Sequence, residues 1–186
     1  MAATRIDELR EALGGAHPMA ATKVKDHLDE YQIGFIRHSP FAVMASADGE
    51  GNCDASPKGG EPGFAKVLDE RTLLIPDIGG NRLFQSYENF QSNGKAGFVF
   101  FIPGIEVTVR VNGRVEILEA AAVEAAGGDA AVHNPDDNAG IVQGLKLTID
   151  EAYFHCPRSM HFGEVWSTQQ IETNRAKGLA DLKSAG

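Results

Sequence analysis

The sequence predicts an α+β domain, mainly β, in which short antiparallel strands form a barrel decorated with helices. Three observations support this class. Six or seven segments have the apolar content or two-residue alternation of strands, and turn signals join most of them into hairpins. Helical patterns lie near both ends and between strands. The βαβ alternation of a doubly wound sheet is absent, as are the GxGxxG and GxxxxGK[ST] fingerprints of nucleotide-binding proteins.

Two helices are predicted before the first strand. Residues 5–13 have an amphipathic pattern that ends at a pair of glycines. A second helix is expected over residues 22–37, since Val24, Leu28, Tyr31 and Phe35 are close to helical spacing.

The next segments alternate between strands and turns. Strands are predicted at 41–48 and 52–56, joined by a turn at Asp48-Gly49, and the following PKGGEPG is expected to be irregular. Residues 64–68 and 72–76 form a second hairpin. A helix is then expected over 81–92, ending at Asn93-Gly94.

The remaining chain predicts three more strands and one helix. AGFVFFI, residues 96–102, is apolar throughout and is expected to be buried on both faces. Residues 105–118 alternate between a valine face and a polar face, and Gly113 indicates a bulge. A helix in the alanine-rich segment EAAAVEAAGGDAA and a long strand at 145–156 follow. We expect one domain, with a core at about 26–166, a helical extension at 1–25 and a polar tail at 167–186.

Composition excludes several classes of function. The 186 residues suffice for one sizeable core, and the net charge of −9 argues against nucleic acid or an anionic membrane as a partner. Neither a transmembrane run nor the apolar core of a signal peptide is found, so we expect a cytoplasmic protein. Cys53 and Cys156 are expected to be unpaired thiols, with Cys156 buried.

The stretch LLIPDIGGNRLFQS contains the strongest candidate site. Arg82 on the first turn of a helix opposes the helix dipole unless an anion binds there. A phosphate could be held by the helix N–H groups, the Asn81 side chain and the Arg82 guanidinium. The alternative is a solvated arginine whose stem covers apolar surface.

Three further groups of residues are candidates. Ser56 and Lys58 lie two apart on an extended segment and point to one side, which suits a phosphate or a flat ring, although a solvated lysine in a wide turn is equally consistent. Arg110 lies on the polar face of its strand, facing solvent, a partner subunit or a ligand. His155 and Cys156 lack a second pair at metal-ligand spacing, so no metal is expected.

The ordered set of motifs resembles the pyridoxamine 5'-phosphate oxidase-like, FMN-binding split-barrel family. These motifs are SPF after a helix, DASPKGGEPGF, TLLIPD followed by GNR, an apolar strand closed by PG, VRVNGR and YFHC. The resemblance covers about residues 26–166. It implies a six-stranded antiparallel split β-barrel that forms a homodimer, with FMN in clefts at the dimer interface.

The resemblance also implies which residues bind the cofactor. Matching the motifs assigns the FMN phosphate to Lys58, Asn81 and Arg82. The residues that would lie beside the ribityl chain and the isoalloxazine ring are Ser56, Pro57, Ile75, Pro76 and Asp77. Thr108 and Arg110 would approach the ring or the interface.

The family implies an FMN-dependent oxidoreductase acting on a small molecule. The segment VWSTQQIETNRAKG departs from that of true pyridoxamine phosphate oxidases, whose tryptophan and arginines hold the substrate phosphate, so the substrate is not predicted. The alternatives are a non-catalytic flavin-binding protein, or a haem or deazaflavin protein on the same barrel. Haem would need an axial ligand such as His155 or His161.

Overall fold

Antiparallel strands form one sheet in the computed structural model, which describes residues 4–15, 22–80 and 82–181. The seven strands in these ranges are β1 (Phe41–Ala47), β2 (Cys53–Gly59), β3 (Lys66–Asp69), β4 (Thr72–Ile78), β5 (Lys95–Phe101), β6 (Thr108–Glu119) and β7 (Ile141–His155). Their order in the sheet is β2-β1-β5-β6-β7-β4-β3. The helices are α1 (Arg5–Ala12), α2 (Glu30–His38), α3 (Gln85–Ser92), α4 (Ala120–Ala125), α5 (Arg158–Phe162) and α6 (Thr168–Asp181).

The predicted fold class is confirmed: the sheet is antiparallel, with helices before, between and after its strands. The number of strands differs from the six of the family resemblance, because the short β3 pairs with β4 at one edge. The predicted bulge is also confirmed, since the β6–β7 register shifts between Asn112 and Gly113. A Cβ at Gly113 would lie 2.1 Å from the Thr148 carbonyl oxygen, so the bulge leaves room only for glycine.

The core lies on one face of the sheet. Phe98, Phe100, Val109 and Val111 are fully buried there, as strand alternation predicts. The prediction that β5 is buried on both faces is wrong, because Val99 and its same-face neighbours are only half-buried. Nothing within the described chain covers this outer face completely, so apolar side chains remain partly accessible on it.

The second helix is shorter than predicted. It begins at Glu30 rather than near Thr22, and Asp29 and Gln32 form a reciprocal capping box at its start. Lys25, inside the predicted helix, instead forms a β-bridge with Ala152. Tyr31 is 81% exposed, so the spacing of apolar residues across this segment does not mark one buried helix face.

Strand β2 is longer than predicted and contains Pro57 and Lys58, which were expected to lie in an irregular segment. Val43 of β1 is the register partner of Pro57. Proline is tolerated here because β2 is at the edge of the sheet, where one side of the strand needs no ladder hydrogen bond.

Both cysteines are free thiols, as predicted, but Cys156 is exposed rather than buried. Within the described ranges, every helix is too short or too polar to cross a bilayer.

Candidate functional site

A cavity of about 230 Å³ lies between the edge strand β2, the end of β4 and the start of α3; we call it the site cavity. Six of the predicted residues line it or its neighbour. Ser56, Pro57, Lys58 and Asp77 line both the site cavity and an adjoining cavity of about 290 Å³, whereas Arg82 lines only the first. Pro76 lines only the second. The structure therefore brings together residues from two motifs about twenty positions apart in the chain.

Strand alternation explains the position of the β2 residues. Asp54, Ser56 and Lys58 are two apart and share the core-side face of the sheet, where they are half-buried. Their register partners on β1 include the fully buried Met44, opposite Ser56. Since β2 is the last strand on this side, its inward side chains border a gap, which the end of β4 and the start of α3 enclose.

Lys58 is held inside the cavity by an ion pair. Its Nζ lies 2.8 Å from Oδ1 of Asp77, and both side chains are 17% exposed. The same ammonium lies 5.9 Å from the centre of the Tyr87 ring. Burial, together with the charge of Asp77 and a hydrogen bond to it, raises the pKa of the Tyr87 hydroxyl far above its usual range. Tyr87 therefore stays protonated, with its hydroxyl hydrogen-bonded to Asp77.

The structure corrects the position of Arg82. Helix α3 begins at Gln85, so Arg82 precedes the helix and is not on its first turn. Arg82 and Phe84 have positive φ values of 62° and 51°, a left-handed conformation that costs a non-glycine residue about 1–3 kcal/mol. Such strain is common at ligand sites. Asn81, predicted to cap the helix, lies outside the described residues.

The N-terminus of α3 nevertheless contributes to the cavity. Gln85, Ser86 and Tyr87 line it, and Phe84, at the N-cap position, makes no side-chain capping bond. The first turn of a helix presents backbone N–H groups and partial positive charge. Arg82, Lys58 and the N-terminus of a helix that starts four residues later than predicted thus line one cavity.

Ile75, Thr108 and Arg110 do not line either of these cavities. Ile75 is 1% exposed and belongs to the hydrophobic core. Arg110 is on the outer face of the sheet, in one row with Val99, Val43 and Pro57. Three strand spacings separate it from Pro57, or about 14 Å. Within one chain, Arg110 therefore lies away from Lys58 and on the opposite face.

Sequence reasoning missed Asp54, Ser86 and Tyr87. Asp54 could have been found, because it is two residues before Ser56 and alternation places both on one face. The Ser86 hydroxyl donates a hydrogen bond to the Asp54 carboxylate. Ser86 and Tyr87 carried no signal, since only the tertiary packing of α3 against β1 and β2 brings them to the cavity.

The chemistry of the cavity fits a phosphate-bearing ligand. Lys58, Arg82, the hydroxyl of Ser56 and a helix N-terminus are donors to oxyanions. Asp54 and Asp77 also line the cavity, but each already accepts a hydrogen bond from a neighbour. The Arg82 guanidinium is exposed and forms no ion pair with any described residue, so it is available to a ligand.

A separate cavity, of about 640 Å³, lies near the C-terminal helices and is lined by His161 and Trp166 among others. His161 Nδ1 is 3.5 Å from Oε1 of Glu106, and Trp166 Nε1 donates a hydrogen bond to the Ile105 carbonyl. In the described ranges, no three His, Cys, Asp or Glu side chains are grouped as metal ligands would be.

A sequence model of the family described as pyridoxamine 5'-phosphate oxidase matches residues 28–156. This span covers most of the chain, including β2, β4 and α3, which enclose the site cavity. The chain therefore belongs to that family. No curated protein matches the chain.

Solved structures agree with this fold. The crystal structure of HupZ from Group A Streptococcus has 19% identity, with 68% of this chain and 93% of that chain covered and a TM-score of 0.51. A protein from Lactobacillus delbrueckii, described as a pyridoxamine 5'-phosphate oxidase, has 21% identity, coverages of 71% and 99%, and a TM-score of 0.52. At these identities the likeness concerns the fold alone.

Proposed function

We propose that this chain binds FMN in the site cavity and acts as an oxidoreductase that transfers electrons between the flavin and a small molecule. The observation that carries the proposal is the convergence of Lys58, Arg82 and the α3 N-terminus on one cavity in a member of this family. These groups would hold the phosphate, with Asn81 beside Arg82. Ser56, Pro57, Pro76 and Asp77 would flank the ribityl chain and ring, and Ile75 would support them from the core.

The isoalloxazine ring of a bound FMN would supply the redox chemistry. The residues of this chain would bind the FMN and orient it. Asp77 fixes the Lys58 ammonium at 2.8 Å, which limits the lysine's conformational freedom before a ligand arrives. Tyr87 keeps its hydroxyl proton, which it donates in a hydrogen bond to Asp77, so it does not act as a base.

We further propose that two copies complete the site. Each cavity is smaller than the roughly 300–1,000 Å³ typical of pockets that bury a drug-sized ligand. The outer sheet face carries accessible apolar side chains, among them Phe41, 39% exposed, and Ala45. Contact between two such faces would bury this surface and would bring Thr108 and Arg110 of one protomer towards the flavin of its partner.

Flavin retention tests the proposal. The purified protein is incubated with FMN, desalted and scanned for visible absorbance; the proposal predicts retained flavin, and a colourless protein would refute it. Lys58→Met and Arg82→Gln should each weaken FMN binding by about 1.5–3 kcal/mol, or roughly 10- to 150-fold, the range for charged hydrogen bonds. Lys66→Met is the matched control, because Lys66 also pairs with an aspartate, Asp129 at 2.6 Å, away from the cavity.

Light scattering tests the dimer. Ala45→Arg places a charge on the outer face and should give a monomer with weaker FMN retention. Ala121→Arg, at an exposed position of α4, should leave the dimer intact. A wild-type protein that is monomeric with FMN bound would exclude the two-copy site while leaving the cavity itself in place.

A further inference from the structure

One irregular segment lies across the ends of two strands that enclose the site cavity. Residues 126–140 join α4 to β7 without forming a helix or a strand. Loops of this length without secondary structure are uncommon in compact domains and are often functional. We call residues 129–139 of this loop the strap.

The strap contacts the chain just after β2 and just after β4. The Glu61 N–H donates a hydrogen bond to the Ala131 carbonyl at 2.7 Å, and a Cβ at Gly60 would lie 2.2 Å from that same oxygen. A Cβ at Gly79 would lie 2.8 Å from the Asn138 carbonyl oxygen. Glycine at both positions permits these close approaches. One segment therefore packs its backbone against the ends of both strands.

The two strap contacts lie where opposite ends of the sheet meet. Four other strands separate β2 from β4 in the sheet order, yet the charged atoms of Lys58 and Asp77 are 2.8 Å apart. The sheet is therefore curled until its two ends meet at this ion pair. Gly59, beside one strap contact, and Gly79, at the other, line the adjoining cavity of about 290 Å³. The strap thus crosses the junction of the two sheet ends next to that cavity.

The strap is attached weakly compared with the strands of the sheet. No strap residue is fully buried. Among the described residues, one backbone hydrogen bond, from Glu61 to Ala131, joins the strap to the rest of the chain. Its polar side-chain contacts are Asp129 with Lys66 and His133 with Glu61; Asp129 is 65% and His133 69% exposed, so solvent screens both contacts. Segments with so few buried contacts open locally, at a free energy well below that of global unfolding.

We propose that the strap is a latch that opens while the sheet stays folded and thereby controls access to the adjoining cavity. When closed, it holds the ends of β2 and β4 together. When open, it lets these ends separate at Lys58 and Asp77, which line that cavity. The effect of the latch on FMN exchange rests on the proposed function, whereas the opening itself is a property of the free protein.

Amide hydrogen exchange of the free protein tests the opening. The Glu61 amide should exchange through local opening, at a rate insensitive to low urea concentrations, whereas amides between β6 and β7 should exchange only on global unfolding. Gly79→Ala places a methyl group against the Asn138 carbonyl and should speed Glu61 exchange by about tenfold. Gly140→Ala, just outside the strap, is the matched control, because a Cβ there meets nothing within 4 Å.

Lysine acetylation measures access to the cavity without FMN. Acetic anhydride should modify Lys58 about tenfold faster in Gly60→Ala than in the wild type, because the new methyl group displaces the Ala131 carbonyl of the strap. Gly140→Ala should leave the Lys58 rate unchanged. Peptide mass spectrometry gives the rates, with the exposed Lys95 as internal reference. In proteins loaded with FMN, flavin should also leave Gly60→Ala about tenfold faster on dilution, followed by flavin fluorescence.

The outcomes separate the latch from the proposed function. A wild-type protein that retains no FMN refutes the proposed function, and Lys58 acetylation still decides the latch. The latch is overturned if the wild-type Glu61 amide exchanges only on global unfolding. It is also overturned if Gly60→Ala leaves Lys58 acetylation at the wild-type rate. Circular dichroism in urea checks that each variant is folded, and Gly79→Ala replaces Gly60→Ala in the acetylation test if the latter is not.

Discussion

The Lys58–Asp77 ion pair gives the sharpest test of how the site cavity is built. The two charged atoms are 2.8 Å apart, and each side chain is 83% shielded from solvent, given exposures of 17%. Lys58→Met leaves the Asp77 carboxylate shielded and without its cation. The expected loss of stability is about 1–3 kcal/mol, the desolvation penalty of a polar group left unsatisfied.

A double-mutant cycle separates this coupling from the packing of the two side chains. Asp77→Asn keeps a hydrogen-bond acceptor for Tyr87 and removes the charge, so it should cost less than Lys58→Met. The double variant should lose less than the sum of the single losses, with a coupling free energy of about 1–3 kcal/mol. The free energies of unfolding come from urea titrations followed by far-ultraviolet circular dichroism.

Lys66 and Asp129 form the matched control cycle. Their charged atoms are 2.6 Å apart and Lys66 is 23% exposed, but Asp129 is 65% exposed. Solvent screening should limit their coupling to about 0–1 kcal/mol. If the Lys58–Asp77 coupling is no larger than that of Lys66–Asp129, the partial burial of the cavity pair does not strengthen it, and the account of a preorganised lysine fails.

Three other outcomes are expected. Asp77→Asn should weaken FMN binding several-fold in a fluorescence titration, because Lys58 loses the partner that fixes its ammonium at the cavity; tighter binding would show that removing the negative charge of Asp77 outweighs this preorganisation. Gly113→Ala should cost about 1–3 kcal/mol of unfolding free energy in urea, whereas Gly140→Ala, where a Cβ meets nothing within 4 Å, should cost much less. Arg71 lowers the pKa of Asp26 to about 2, so the stability from this pair is present above about pH 4 and is lost as the pH falls towards 2. The difference between wild type and Arg71→Gln in thermal melts should shrink over that window, and a difference that stays constant would exclude the pair as its source.

The sequence alone determined the fold class and most strands. Alternation in residues 105–118 reflects a real constraint, since successive side chains must point to opposite faces of a sheet. Gly113 was identifiable because a bulge with a close backbone contact leaves no room for a Cβ. Hydrophobic pattern failed over residues 22–37, where the capping pair Asp29 and Gln32 sets the true helix start.

The candidate site could be predicted in part. Lys58 and Arg82 were identifiable from residue type and motif, and the structure places both at one cavity. Their local geometry was not, since Lys58 lies within a strand and Arg82 precedes its helix in a left-handed conformation. Local sequence propensity does not predict the backbone conformation at these two positions, because contacts between segments distant in the chain determine it.

The tertiary structure decided which polar groups meet. Asp77 pairs with Lys58 across nineteen positions of the chain, and Tyr87 joins them only because α3 packs beside β2. Arg110 was a candidate on the same footing as Lys58, yet sheet order and alternation put it on the opposite face, beside Lys23, Tyr153 and His155. A sequence specifies each residue's chemistry and its face of a strand, whereas strand order and register, fixed by long-range pairing, determine its neighbours.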